Sequence, residues 1–128
     1  MASGAFCAAI NCMDGRAQLP VFEFLQTRFG IEYVDMVTEP GPNAILARQD
    51  DPAVLGTIRA RLDVSVHKHG SKGIAVVAHS DCAGNPASKD EQLEHLRVAV
   101  EFVRERYPET EVIALWLELP SAIEELDM

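Results

Sequence analysis

The stretch Ile74-Ala75-Val76-Val77-Ala78, followed directly by His79-Ser80-Asp81-Cys82, is the most informative part of the chain for its fold. A continuous apolar run of this length is typical of a strand that is buried on both faces of a parallel sheet. Similar short runs occupy residues 5–11, 31–37 and 111–117. The chain is therefore predicted to contain four strands.

Amphipathic stretches separate these strands. Residues 19–29 have helical spacing, with Pro20 in the first turn and Gly30 after the last. A second helix is expected from Asp51-Pro52 to near Gly70. Ser88 and Glu91 have the spacing of a capping box that opens a third helix.

The alternation β-α-β-α-β-α-β predicts one α/β domain over residues 1–128. We expect an open, mainly parallel sheet of about four strands with helices on both faces. The tail from Ser121 is expected to form a final helical turn.

Composition disfavours several classes of protein. Lys and Arg number 11 against 20 Asp and Glu, a formal net charge of −9, whereas nucleic-acid binding needs a clustered cationic face. No apolar run approaches the roughly 18 residues of a membrane span, and the short apolar start lacks the basic residues of a signal peptide. Three cysteines, an odd number, argue against a disulfide framework. We expect a cytoplasmic protein that binds neither nucleic acid nor membranes.

Residues that can bind a metal follow the first and third predicted strands. Cys12 follows strand one, and His79 and Cys82 follow strand three. They would meet if these strands are neighbours, at the sheet edge where α/β proteins bind ligands. Thiolate and imidazole are zinc ligands, and three of them leave a fourth tetrahedral position for water or substrate. The spacing favours a catalytic zinc site over chance placement, although cobalt or iron(II) also suits such ligands.

Asp14 and Arg16 lie two and four residues beyond Cys12. An arginine can hold a carboxylate through two charge-assisted hydrogen bonds. Paired with Arg16, Asp14 could accept a hydrogen bond from metal-bound water; unpaired, it could take the fourth metal position itself. The alternative is a loop ion pair without a role, and we favour a catalytic role for both residues.

The other cysteine and histidines are expected to be structural. Cys7 is interpreted as a small buried apolar side chain. His67 and His69 would complement the dipole at a helix C-terminus, and His95, on a charge-rich helix, is expected to be solvated.

The two motifs Cys12-x-Asp14-x-Arg16 and His79-x-x-Cys82-x-Gly84 resemble the signature of the beta-class carbonic anhydrases. The chain is similar to a short, minimal branch of that family. The resemblance implies zinc held by Cys12, His79 and Cys82, with Asp14 and Arg16 as a gating dyad. It further implies reversible hydration of carbon dioxide to bicarbonate by zinc-bound hydroxide, in a homodimer with the site near its interface.

Departures from the family pattern keep two alternatives open. Gly15 stands where the family usually has Ser, and the sequence from Glu39 to Asn43 replaces a family Arg-Asn-Ala-Gly. A carboxylate at position 39 would repel bicarbonate and supports a non-catalytic zinc protein with a structural, sensing or partner-binding role. The altered second loop would also suit a hydrolase of carbonyl sulfide or carbon disulfide.

Overall fold

The computed structural model describes residues 5–128 and shows a sheet flanked by helices. Its strands are β1 (Phe6–Cys12), β2 (Tyr33–Glu39), β3 (Gly73–His79), β4 (Glu111–Glu118) and β5 (Ala122–Leu126). Its α-helices are α1 (Gln18–Phe29), α2 (Pro42–Arg48), α3 (Pro52–Asp63) and α4 (Lys89–Arg106). A 3₁₀ turn, Gly15–Ala17, precedes α1, and a π-helical turn, Val64–Lys68, follows α3.

The sheet has the order β2-β1-β3-β4-β5. The first four strands are parallel, and β5 pairs antiparallel with β4. From β1 the chain steps to one side to reach β2, and from β3 it steps to the other side to reach β4. The strand order therefore reverses between β1 and β3, and the prediction of a mainly parallel α/β sheet is confirmed. The two strands are neighbours, which is the condition for their ligand residues to meet.

Side chains alternate between the two faces of the sheet, so each face has its own core. On one face, Ala8 and Ile10 of β1 pack with Leu46 of α2, Ile58 of α3 and Leu96 of α4. On the other face, alternate strand residues pack against α1 through two fully buried side chains, Val21 and Leu25. Helices thus cover both faces, as the alternating sequence predicts.

Two elements differ from the sequence prediction. The tail forms strand β5 instead of a helical turn, because Ile123 pairs with Leu117 on the edge of β4 and packs into the core. Helix α2 starts at Pro42, directly after Gly41, in a segment for which sequence analysis predicted no helix. Among the helices described over residues 5–128, none is long and apolar enough to cross a membrane.

Candidate metal centre

Three ligand-type side chains converge at the carboxyl edge of the sheet, where β1 and β3 lie side by side. Cys12 ends β1, His79 ends β3, and Cys82 lies in the following turn. Their ligand atoms all lie within 4.8 Å of one another, and the two sulfur atoms are 3.9 Å apart. All three side chains are buried. The structure thus brings together the three predicted ligands from two distant parts of the sequence.

His79 has one satisfied and one unsatisfied ring nitrogen. Its Nδ1–H donates to the carbonyl oxygen of Ser80 at 2.6 Å, which leaves the lone pair on Nε2. That Nε2 atom is buried and has no hydrogen-bond partner. A buried polar atom without a partner is costly, and a metal-binding histidine usually uses its second nitrogen in this way. The histidine is therefore arranged as a ligand.

The two thiols are poorly solvated and close together. Burial raises the pKa of the Cys82 thiol, and the neighbouring Cys12 raises it further. The backbone N–H groups of Gly84 and Asn85 act in the opposite direction and lower this pKa. Two thiolates in this position need a nearby cation, and tetrahedral zinc sets its sulfur ligands about 3.8 Å apart. The donor set fits zinc.

The turn after β1 is fixed by two amide side chains. Asn11 is fully buried, accepts the backbone N–H of Cys12 at 2.9 Å and donates to the carbonyl of Ala17 at 3.0 Å. Gln18 donates to the carbonyls of Cys12 at 2.7 Å and Asp14 at 3.1 Å. Sequence analysis missed both residues, although a polar Asn11 ending an apolar strand is a signal for the first.

Asp14 is paired with Arg16. The Arg16 side chain donates to both carboxylate oxygens, at 3.1 Å from Nε to Oδ1 and 2.7 Å from Nη2 to Oδ2. These side-chain bonds, and a further bond from the Arg16 backbone N–H, lower the pKa of Asp14 to about 2. Asp14 is outside the three-residue ligand group. Of the two expected arrangements, this structure shows the paired one.

Arg16 also connects the two motifs. Its guanidinium donates to the side chain and to the backbone carbonyl of Asp81, both at 3.2 Å. Asp81 has a φ of +54°, a conformation that Asp tolerates better than most residues. The arginine thus lies between the turn after β1 and the turn after β3.

The turn after β3 packs directly against the loop after β2. A Cβ atom on Gly84 would lie 2.4 Å from the carbonyl carbon of Pro40 and 2.7 Å from the nitrogen of Gly41. Gly41 has a φ of +59°, and a Cβ there would meet Gly84 and Asn85 at 2.8–2.9 Å. The two glycines allow the turn after β3 and the loop after β2 to come into direct backbone contact. This contact supports the turn that carries Cys82.

Glu39 ends β2 beside Cys12, its register partner in β1. Its carboxylate lies 2.5 Å from the guanidinium of Arg61, on α3. An arginine therefore balances the charge that sequence analysis expected to repel bicarbonate. The pairing could not be foreseen, because the two residues are distant in sequence.

The remaining cysteine and histidines lie outside the ligand group. Cys7 is fully buried, and burial raises its pKa to about 12, so its interpretation as an apolar core residue is confirmed. His67 is exposed, and His69 bonds Asp35 at 2.6 Å. The expectation that His95 is solvated is wrong: it is half-buried, and its Nδ1 lies 3.0 Å from the side-chain nitrogen of Asn85.

Comparison with known families agrees with this geometry. Residues 2–127 match the family described as "Putative carbonic anhydrase". The chain belongs to this carbonic anhydrase family. Among curated proteins, none matches the sequence.

Solved structures of carbonic anhydrases, two of them described as beta-class, are similar to this chain. The carbonic anhydrase of Glaciozyma antarctica has a TM-score of 0.59 at 15% identity, covering 93% of this chain and 80% of its own. A tetrameric beta-carbonic anhydrase of Sordaria macrospora has a TM-score of 0.57 at 17% identity, covering 95% and 80%. The enzyme of Aspergillus fumigatus has a TM-score of 0.55 at 16% identity, covering 94% and 74%. The chain therefore has the beta-carbonic-anhydrase fold.

Proposed function

We propose that this protein is a zinc-dependent carbonic anhydrase that interconverts carbon dioxide and bicarbonate. The observation that carries the proposal is the buried group of Cys12, His79 and Cys82, with its unpartnered Nε2 atom. A zinc ion held there would lower the pKa of a bound water to about 7 and supply a nucleophile at neutral pH. Membership of a carbonic anhydrase family supports a lyase activity in general.

The chain's own residues would orient the reactants. Asp14 stays ionised at neutral pH because Arg16 lowers its pKa to about 2, so its carboxylate can only accept hydrogen bonds. It would orient the attacking hydroxyl group by accepting a hydrogen bond from it. Arg16 keeps Asp14 in place and prevents it from acting as a fourth ligand.

The pairing of Glu39 with Arg61 favours catalysis over a purely structural zinc site. The case for a non-catalytic protein rested on a free carboxylate at position 39, and that carboxylate forms an ion pair. No contact in the described residues favours carbonyl sulfide or carbon disulfide over carbon dioxide.

The proposal includes a homodimer. Met13 and Leu19 are more than 60% exposed beside the metal centre, and Leu19, Phe22 and Met36 line an apolar groove of about 330 Å³ with Gln18. Strand β2 lies at the edge of the sheet next to it. An uncharged patch on a chain of net charge −9 suits a second copy of the same patch.

A cytoplasmic location also belongs to the proposal, since all three cysteines are free thiols.

Stopped-flow hydration of carbon dioxide by protein of known zinc content tests the function. We expect a rate well above a zinc-stripped control, and loss of both zinc and activity in Cys82→Ser. Cys7→Ala is the matched control, because Cys7 lies in the core away from the metal centre and should keep both. Retained turnover in Cys82→Ser would contradict the mechanism, and one zinc per chain without turnover would leave a non-catalytic zinc protein.

A further inference from the structure

His95 is connected to the metal centre through one buried side chain. The carboxamide nitrogen of Asn85 lies 3.0 Å from Nδ1 of His95, and Asn85 is 2% exposed. A carboxamide nitrogen only donates hydrogen bonds, so Nδ1 of the imidazole accepts. The contact joins α4 to the turn that carries Cys82.

The same Asn85 belongs to the turn that carries Cys82, three residues beyond that cysteine. Its backbone neighbour Gly84 lies directly against Pro40 and Gly41. Asn85 therefore connects the turn that carries Cys82 to His95 through its side chain.

The turn has little freedom on its other side. The nitrogen and Cβ of Asn85 would lie 2.9 Å from a Cβ placed on Gly41. Asn85 is thus held between the loop after β2 and helix α4. Without an acceptor at position 95, the buried carboxamide of Asn85 would lose its hydrogen-bond partner. The turn could then shift only by giving up its packing against the loop after β2.

We propose that His95 is a positioning residue for the metal centre, which acts through Asn85 to hold in place the turn that carries Cys82. The inference rests on the proposed metal site and concerns how tightly that site holds its metal. Nothing in it requires His95 to contact the metal or the substrate.

Two substitutions at position 95 distinguish the loss of the hydrogen-bond acceptor from a change in side-chain volume. The side-chain oxygen of His95→Asn can occupy the place of Nδ1, whereas His95→Leu fills the space without an acceptor. We expect His95→Leu to release zinc to a chelator about 10-fold faster than wild type, the lower end of the effect of losing an outer partner of a metal ligand. His95→Asn should stay close to wild type.

A spectroscopic measurement distinguishes positioning from general destabilisation. In cobalt-substituted protein, the sulfur-to-cobalt charge-transfer band reports the positions of the two thiolates relative to the metal. It should shift in His95→Leu and not in His95→Asn. Asn85→Ala keeps the backbone N–H but removes the side-chain contact to His95, so it should shift the band as His95→Leu does. It therefore tests the same contact if His95→Leu folds poorly.

Equal release rates in wild type and His95→Leu would overturn the inference. So would equally fast release from the Leu and Asn variants, because the acceptor would then be irrelevant. Wild-type protein that holds zinc but does not hydrate carbon dioxide would instead refute the proposed function, and the comparison of release rates would still decide the role of His95.

Discussion

At Gly84 the turn after β3 lies so close to the loop after β2 that there is no space for a methyl group. We expect Gly84→Ala to lower the free energy of unfolding by about 1–3 kcal/mol, as overpacking does elsewhere. The added Cβ would lie 2.4 Å from the carbonyl carbon of Pro40, so the turn that carries Cys82 must move. Denaturant unfolding and zinc content together check this expectation.

Gly56 provides the control for that substitution. It lies within α3, and an added Cβ there meets nothing within 4 Å. Gly56→Ala should raise the free energy of unfolding by about 0.5–1 kcal/mol, since alanine restricts the unfolded chain and suits a helix. If both variants changed stability equally, the close approach at Gly84 would not be a constraint.

The sequence predicts the ligand residues of the site but not the partners that hold the surrounding residues. Cys12, His79 and Cys82 could be found because each follows a recognisable strand and has chemistry that core residues lack. The partners of Glu39 and Asn85 could not, because Arg61 and His95 approach them only after helices α3 and α4 have packed. Hydrogen bonds between distant elements leave no local pattern in the sequence.

At the ends of two helices, Tyr107 joins α4 to α3. Its hydroxyl donates to Asp63 at 2.5 Å, and Arg106 donates to the other carboxylate oxygen at 3.0 Å. The tyrosine bond is the main cause of the lowered pKa of Asp63. We expect Tyr107→Phe to cost about 1 kcal/mol of stability at neutral pH, a modest value because Asp63 is partly exposed to solvent.

The cost of Tyr107→Phe should depend on pH in a defined direction. A carboxyl whose pKa is lowered by folding stabilises the protein above its unfolded pKa, near 4, and loses this effect as pH falls through the folded pKa. The difference between wild type and Tyr107→Phe should therefore be complete at pH 7 and shrink at pH 3. Urea unfolding at both values measures it, and a larger difference at pH 3 would contradict the assignment.

Elements differ in how clearly the sequence predicts them. β1, β3 and β4 are predicted because continuous apolar runs suit strands buried on both faces. Strand β5 has only five residues, with two adjacent glutamates at positions 124 and 125, so pairing with β4 decides its conformation. Helix α2 lies in a Gly- and Pro-containing segment, and packing against α4 favours the helix there.

On the scale of the whole molecule, the exposed apolar patch predicts self-association. Leu19→Glu places a carboxylate at a side chain that is 63% exposed, and two such charges would face each other in a symmetric dimer. We expect the molar mass from sedimentation equilibrium to fall from a dimer to a monomer. Val64→Glu, at a 50% exposed residue on the π-helical turn, should leave the mass unchanged. A wild-type monomer at micromolar concentration would refute the dimer.

The join between β1 and β3 is the shortest in the parallel part of the sheet. Only three residue pairs are in register there, against seven between β1 and β2 and seven between β3 and β4. Cys12 and His79 stand on opposite sides of this join, beyond its last paired residues. A metal bound by both would cross-link the two halves of the sheet beyond the last hydrogen-bonded pair of β1 and β3. Metal loss should then raise the rate of amide hydrogen exchange in β1 and β3 by a larger factor than in the outer strands.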